Sequence, residues 1–240
     1  MPDRTLSLEG IYNLRDVGGY PTTDGQHVRW RRLLRSGRLH ALSPSSQQAL
    51  HDHGLRTIID LRRPFELTLH PNAFAASEGI TYLNLPLFDD IGAETVDAPA
   101  QTLAEVYIRY IELCQPQLST VLSAIAEVSD APLLVHCAVG KDRTGLVIAL
   151  TLSALGVAPH IIADDYALSY AHLAPLFDAE RPSIPPERRD RFERMIRSPR
   201  EAMEQTLASI NQRYGSVANY LETLGIGATQ IERLRANLLE

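Results

Sequence analysis

The chain has 240 residues, 45% of them hydrophobic, a formal net charge of −6 and two cysteines. That length fits one domain, or one domain with a helical appendage, and supplies enough apolar material for a full core. The acidic balance argues against general nucleic-acid binding, and two cysteines make no disulfide framework. No run approaches the length that spans a bilayer, and Met1-Pro2-Asp3-Arg4 lacks the apolar stretch of a signal peptide.

In chain order, roughly the first 40 residues read as strand and turn, with bends at Tyr20-Pro21 and Asp24-Gly25. Val28, Trp30 and Leu33-Leu34 suit a short strand pair. A helix follows from about Ser45 to His53, with Ser43 as N-cap, Pro44 in the first turn and Gly54 as its stop. Thr57 to Leu61 and Thr81 to Leu87 read as strands. The next helices are expected at about Thr102 to Leu113 and Gln117 to Val128, the first with Leu103, Val106, Tyr107, Tyr110 and Ile111 at helical spacing. An apolar strand, Pro132 to Val135, leads into a short loop, and an apolar helix, Leu146 to Leu155, leaves it. A helix from Pro159 to Ser169 is followed by a Pro-rich, Arg-rich stretch from Leu173 to Pro199. Helices at about Glu201 to Arg213, Val217 to Leu224 and Ala228 to Leu238 close the chain. Strands alternating with helices predict an α/β fold, with a central, mainly parallel sheet flanked by helices and a helical C-terminal part.

The chemistry concentrates in the loop His136-Cys137-Ala138-Val139-Gly140-Lys141-Asp142-Arg143-Thr144-Gly145, with five residues between the cysteine and the arginine. A strand, a tight loop and a helix N-terminus make an anion site. Helix N-termini and nearby cations favour the thiolate, the nucleophilic form of cysteine. Backbone N–H groups from about Ala138 to Thr144 suit phosphate oxygens, and the glycines at 140 and 145 allow a sharp turn and close approach. Arg143 offers a planar fork for two oxygens, and Thr144 is placed to donate to the Cys137 sulfur. Phosphoryl transfer to Cys137, followed by attack of water, fits this set.

His136 to Gly145 resembles the P-loop of the protein tyrosine phosphatase superfamily. Its Gly140-Lys141-Asp142-Arg143 version is similar to that of the bacterial atypical protein tyrosine phosphatases, the mycobacterial secreted tyrosine phosphatase B group. Asn13-Leu14-Arg15-Asp16-Val17-Gly18-Gly19, Leu33-Leu34-Arg35-Ser36-Gly37 and Gly54 to Arg62 resemble that group's N-terminal blocks. Asp165-Tyr166 with Ser169, and Tyr214 to Val217 with Tyr220-Leu221, resemble its downstream helices. The resemblance implies one phosphatase domain over residues 1–240, without metal or cofactor. It also implies broad specificity toward phosphotyrosine, phosphoserine, phosphothreonine and phosphoinositides. Substrate-binding positions are then Ala138, Val139, Gly140, Lys141, Thr144 and Gly145, with Cys137, Arg143 and Asp142 catalytic. Lys141 is expected to add a second cation for multiply phosphorylated substrates, or else to pair with Asp142.

The leaving oxygen needs a proton donor, and two sets of carboxyls compete for that role. Asp142 lies in the loop and is shared with the resembled group. Asp89 and Asp90 open a long stretch to about Pro99, in the place of a mobile acid loop but without its tryptophan-proline-aspartate signature. Residues from about 170 to 200 are expected to form a lid or rim whose arginines meet anionic headgroups, against the plainer reading of a solvated helix with interleaved Glu187, Asp190 and Glu193.

Competing readings are weaker. Val135 and Asp142 stand where a Walker loop needs glycine and Ser or Thr. The distant cysteines Cys114 and Cys137, and His51 and His53 two apart on a helix, do not suit zinc. Cys114 reads as core, and His136 as packing beside the loop. A phosphatase chiefly for phosphoinositides or a small phosphorylated metabolite is the alternative enzyme, and a phosphate-binding pseudophosphatase the alternative of another class. A nucleophilic thiol must stay reduced, so a cytoplasmic setting is expected, with export by a route lacking a cleaved signal left open, as in some relatives.

Overall fold

The computed structural model describes residues 4–88, 100, 102–128 and 131–240. Among the described residues, five strands form one sheet: β1 (Arg15–Asp16), β2 (Leu33–Ser36), β3 (Thr57–Asp60), β4 (Thr81–Asn84) and β5 (Leu133–His136). Their order is β1-β2-β5-β3-β4, with β1 antiparallel to β2 and every other pairing parallel. The central strand β5 is buried along its whole length, as are its neighbours β2 and β3. This accounts for their apolar residues, Leu33-Leu34, Ile58-Ile59 and Leu133 to Val135, since a parallel strand covered on both faces has no solvent side, while the buried polar residues Arg35, Ser36, Asp60 and His136 gather toward their C-terminal ends.

Helices pack on both faces. They are α1 (Pro44–Asp52), α2 (Pro64–Leu69), α3 (Leu103–Leu113), α4 (Gln115–Glu127), α5 (Asp142–Leu155), α6 (Pro159–Glu180), α7 (Arg189–Ile196), α8 (Arg200–Tyr214), α9 (Val217–Thr223) and α10 (Ala228–Leu238). The larger core joins one sheet face to α3–α6 and α8–α10 and includes both Cys114 and Cys137. A smaller one packs Leu50, Leu55 and Phe74 on the opposite face of the sheet, against Ile58 and Leu134. None of the described helices is long and apolar enough to cross a membrane.

Three elements depart from the expectations. Val28 and Trp30 do not extend a strand pair: Val28 makes an isolated bridge to Leu239, and the strand begins at Leu33. The short helix α2 was not foreseen. Pro64 occupies its first turn, and the Glu66 side chain accepts from the Arg63 backbone N–H at 2.9 Å. Helix α6 does not stop at Ser169 but continues through Pro175 to Glu180. Proline there removes one helical hydrogen bond. Pro175 and Ala171 both face solvent, so the freed Ala171 carbonyl can be hydrated, while Leu173 and Phe177 stay buried on the inner face.

The parallel register aligns Ser36, His136 and Asp60 at the C-terminal ends of β2, β5 and β3. Ligands bind at this edge of open α/β sheets. The loops that leave these three strands build the site.

Candidate active site

Cys137 follows the last residue of β5, and Asp142 opens α5. The intervening loop is pulled from behind by its carbonyls. Ala138 O accepts from the Arg38 backbone N–H at 2.9 Å, and Asn13 Nδ2 donates to Val139 O at 3.1 Å and to Gly140 O at 2.9 Å. Arg35 Nη2 donates to Gly140 O at 2.8 Å, and Gly145 N–H to Lys141 O at 2.8 Å. With the carbonyls turned back, the backbone N–H groups of 138–144 meet no acceptor among the described residues. Such a row of unpaired donors at a helix N-terminus is an anion cradle. Gly140 is required for this shape: its φ is +72°, and an added Cβ would lie 2.1 Å from Ser36 O.

The rear support is a buried ionic network. Asp165, on α6, sits between two guanidiniums, 3.1 Å from Arg15 Nε and 2.6 Å from Arg35 Nη1. Burial pushes its carboxyl up, but the Arg15 and Arg35 charges outweigh this and hold it well below the usual carboxylate range. Burial and Arg35 bring Arg15 down to about 10, against the opposing pull of Asp165. Arg15 also donates to Asn13 Oδ1, fixing the amide that grips the loop. Asn13 itself is held at a φ of +59°, a left-handed conformation that asparagine tolerates. Beside the loop, His136 Nδ1 lies 3.1 Å from Cys137 O, and its Nε2 lies 2.9 Å from Asn72 Nδ2 and 3.3 Å from Asp60 Oδ2.

Arg143 points forward. Its Nη1 and Nη2 donate to the two oxygens of Glu66 at 2.6 and 2.8 Å, and Nη1 also reaches Leu61 O at 3.3 Å. Burial lowers the Arg143 pKa, but the Glu66 bonds and the Cys137 and Glu66 charges together raise it above the ordinary value. These bonds leave the edge formed by Nε and the second Nη2 hydrogen for a bidentate anion contact. Burial also raises the Glu66 carboxyl. Its bonds and charge interaction with Arg143, helped by the Arg63 backbone N–H, bring it down to about 2.

Cys137, Ala138, Val139, Asp142 and Arg143 line a common cavity of about 390 Å³, whose other walls include Arg63, Phe88, Tyr110, Arg191 and Met195. Asp142 Oδ1 accepts from Tyr107 Oη at 2.5 Å and lies 3.4 Å from Lys141 Nζ. Oδ2 has no partner among the described residues and is free for a reacting atom. Tyr107 is fully buried and 2.6 Å from Tyr166 Oη, and burial followed by the Asp142 charge raises its pKa well above the ordinary value.

Two expectations change. Lys141 does not offer its ammonium to the cavity. The side chain is 2% exposed, and Nζ donates to Met195 O and, at 2.9 Å, to Arg197 O at the end of α7. Helix-end carbonyls carry partial negative charge and lack intrahelical donors, so they attract the ammonium inward. The Thr144 hydroxyl is buried and has no hydrogen-bond partner among the described residues, so it makes no bond to the Cys137 sulfur. Gly145 stands in the first turn of α5, its Cα facing the ring of Tyr166. Asp89 and Asp90 lie outside the described residues. Sequence reading missed Glu66 and Tyr107. The capping-box spacing Arg63-x-x-Glu66 was the available sign of the first, whereas nothing local marked the second.

A model of the tyrosine phosphatase family matches residues 6–240. The chain is 29% identical to a tyrosine-protein phosphatase of Nostoc commune, over 86% of this chain and 74% of that protein. It is 27% identical to the triple specificity protein phosphatase PtpB of Mycobacterium tuberculosis, over 97% of this chain and 98% of that protein. A thiol and an arginine fork in a cradle of free N–H groups, in a chain matched almost end to end, leave one conclusion: the protein belongs to the tyrosine phosphatase family and is a phosphatase.

Proposed function

We propose that the protein hydrolyses phosphomonoesters through a phosphocysteine on Cys137. The observation that carries this reading is the cavity in which Cys137, the unpaired loop N–H groups and the Nε/Nη2 edge of Arg143 converge. In the first step Cys137 Sγ attacks phosphorus in line, and the bond from phosphorus to the leaving oxygen breaks. The loop N–H groups and Arg143 hold the equatorial oxygens as charge spreads over them. Asp142 gives its proton to the leaving oxygen from Oδ2, with Oδ1 anchored by Tyr107 and Lys141. In the second step water attacks phosphorus, Asp142 takes the proton, and the thiolate and inorganic phosphate are released.

The substrates of this reading are phosphotyrosine, phosphoserine and phosphothreonine in proteins, together with phosphoinositides. Similarity to a protein named for triple specificity supports that breadth. Residues from about 170 to 200 act as a rim, since α7 contributes Arg191 and Met195 to the cavity wall. A reduced Cys137 suits a cytoplasmic setting.

The test compares Cys137→Ser and Asp142→Asn with the unaltered enzyme on p-nitrophenyl phosphate and on phosphotyrosine and phosphoserine peptides. Cys137→Ser is expected to abolish turnover and the trapped phosphoenzyme. Asp142→Asn is expected to cost about 10²- to 10⁴-fold on the phosphoserine peptide, and less on p-nitrophenyl phosphate, whose leaving group needs little protonation. Full activity of Cys137→Ser sinks the mechanism. Equal losses on all substrates sink the assignment of Asp142.

A further inference from the structure

Lys141 takes the second of its two expected roles, pairing with Asp142 at 3.4 Å, and other cations line the cavity. The walls of the catalytic cavity carry three guanidiniums, Arg63, Arg143 and Arg191, and one carboxylate, Asp142. Arg143 and Arg63 both pair with Glu66, at 2.6 and 3.4 Å. Arg191 has no hydrogen-bond or ion-pair partner among the described residues, although acidic residues Asp190 and Glu193 flank it in sequence. Glu193 is taken by Arg181 at 2.6 Å. One scissile phosphate, held by the loop N–H groups and Arg143, leaves this positive side chain unmatched in the same cavity.

The helix that carries Arg191 is held by the loop at its far end. Arg191 lies one turn before Met195 on α7, and both line the cavity. The end of that helix is where Lys141 donates, to the carbonyls of Met195 and Arg197. Just beyond it, Ser198 Oγ donates to Ala167 O at 2.9 Å and accepts from the Tyr170 N–H at 2.8 Å, stapling the segment to α6. On the inner side, Phe192 meets Phe177 edge-on, with ring centroids 6.2 Å apart, in a small cluster that also packs against Val139 of the loop.

We infer that Arg191 is a second-anion subsite of the active site, positioned by Lys141 through the end of α7, and that it selects substrates carrying another phosphate on the same small ring as the scissile one. This rests on the phosphatase reading above and deepens it. A guanidinium in the wall of the same cavity can bind a second phosphate bidentately, where a buried ammonium cannot reach. A cavity of about 390 Å³ that contains both the cradle and Arg191 suits a doubly phosphorylated ring, free or as a lipid headgroup, and an acidic peptide is the competing outcome of the test.

The experiment measures kcat/KM of the full chain for a soluble inositol bisphosphate with neighbouring phosphates and for an inositol monophosphate. Both are also titrated as competitive inhibitors of p-nitrophenyl phosphate hydrolysis, so preference is read even where turnover is slow. The unaltered enzyme should favour the bisphosphate, and Arg191→Gln should cut that ratio about ten-fold, the worth of one charge-assisted contact. Arg191→Lys should restore part of it. Lys141→Met should lower the same ratio by loosening α7, and Arg188→Gln, outside the cavity, should leave it where it is. A parallel arm presents the corresponding phosphoinositide in phosphatidylcholine vesicles. A loss confined to vesicles overturns the subsite in favour of a membrane-surface contact, and a loss confined to acidic phosphotyrosine peptides overturns it in favour of peptide recognition. An unchanged ratio, or no preference in the unaltered enzyme, overturns it outright. Because the readout is a ratio, failure of the subsite is distinct from failure of the catalytic reading, which Cys137→Ser decides alone.

Discussion

Behind the Cys137 loop, Asn13, Arg15, Arg35 and Asp165 are buried and interlocked, with charges paired at 2.6–3.1 Å. In front of it, α7 has only Ile196 buried and rests on a three-residue core of Leu173, Phe177 and Ile196, with Lys141 and Val139 linking it to the loop. The two regions do different work. The rear fixes the direction of the loop carbonyls, and through them the direction of the N–H groups in the proposed cradle. Its charges tolerate no loss, because an unpaired buried ion has no water to turn to. The rim contributes side chains to the cavity wall and depends on few apolar contacts, the signature of a segment that opens locally at low cost.

The largest expected effect lies in the rear. Asp165→Asn leaves Arg15 and Arg35 facing each other without a counter-charge and should destabilise the fold by about 3–5 kcal/mol in urea denaturation. A loss under about 1 kcal/mol would break the contrast, by showing that the rear is no more demanding than the surface.

Glu66 belongs to neither region fully, since it anchors Arg143 from the side. Glu66→Gln keeps the shape and removes the charge, and kcat/KM should fall about ten- to a hundred-fold through a less well-aimed fork. A pH series sharpens the point. The Glu66 carboxyl sits at about 2 in the fold, against an ordinary 4.5. A carboxylate depressed by folding stabilises the protein above its ordinary pKa, and that contribution fades as pH falls from 4.5 toward 2. The stability gap between the unaltered protein and Glu66→Gln should therefore be widest above pH 5 and close on acidification. A gap independent of pH would show that the pair contributes nothing to folding.

The smallest global effect is expected at the rim. Phe192→Ala should lower overall stability by less than about 1 kcal/mol while speeding limited proteolysis around residues 181–188. A large, cooperative loss of stability would mean that α7 is part of the main core after all.

The elements most legible in the sequence were those with short-range causes. Thr102 and Ser43 cap α3 and α1 as their side chains advertise, each accepting from a backbone N–H three residues on. α10 begins and ends where its spacing places it. The helix expected to end at Ser169, before the Pro-rich and Arg-rich stretch, runs on to Glu180, and only the burial of Leu173 and Phe177 shows why it passes through Pro175.

For the site, the sequence by itself brought together the thiol, the arginine and the glycine of the proposed cradle, because Cys137, Gly140 and Arg143 lie within a single strand–loop–helix turn. It also marked Asn13, Arg15, Arg35 and Asp165 as parts of motifs without revealing their common task. The tertiary structure alone decided where the charges point. Glu66 reaches Arg143 across 77 positions, Tyr107 reaches Asp142 across 35, and the carbonyls that draw Lys141 inward lie 54 and 56 positions away. A side chain's chemistry is written at its own position, but its field and its hydrogen-bond partners are set by whatever the fold brings beside it. That is why Lys141, a plausible pocket cation in sequence, becomes a buried tether, and why Arg191, one arginine among many in an exposed stretch, faces the catalytic cavity.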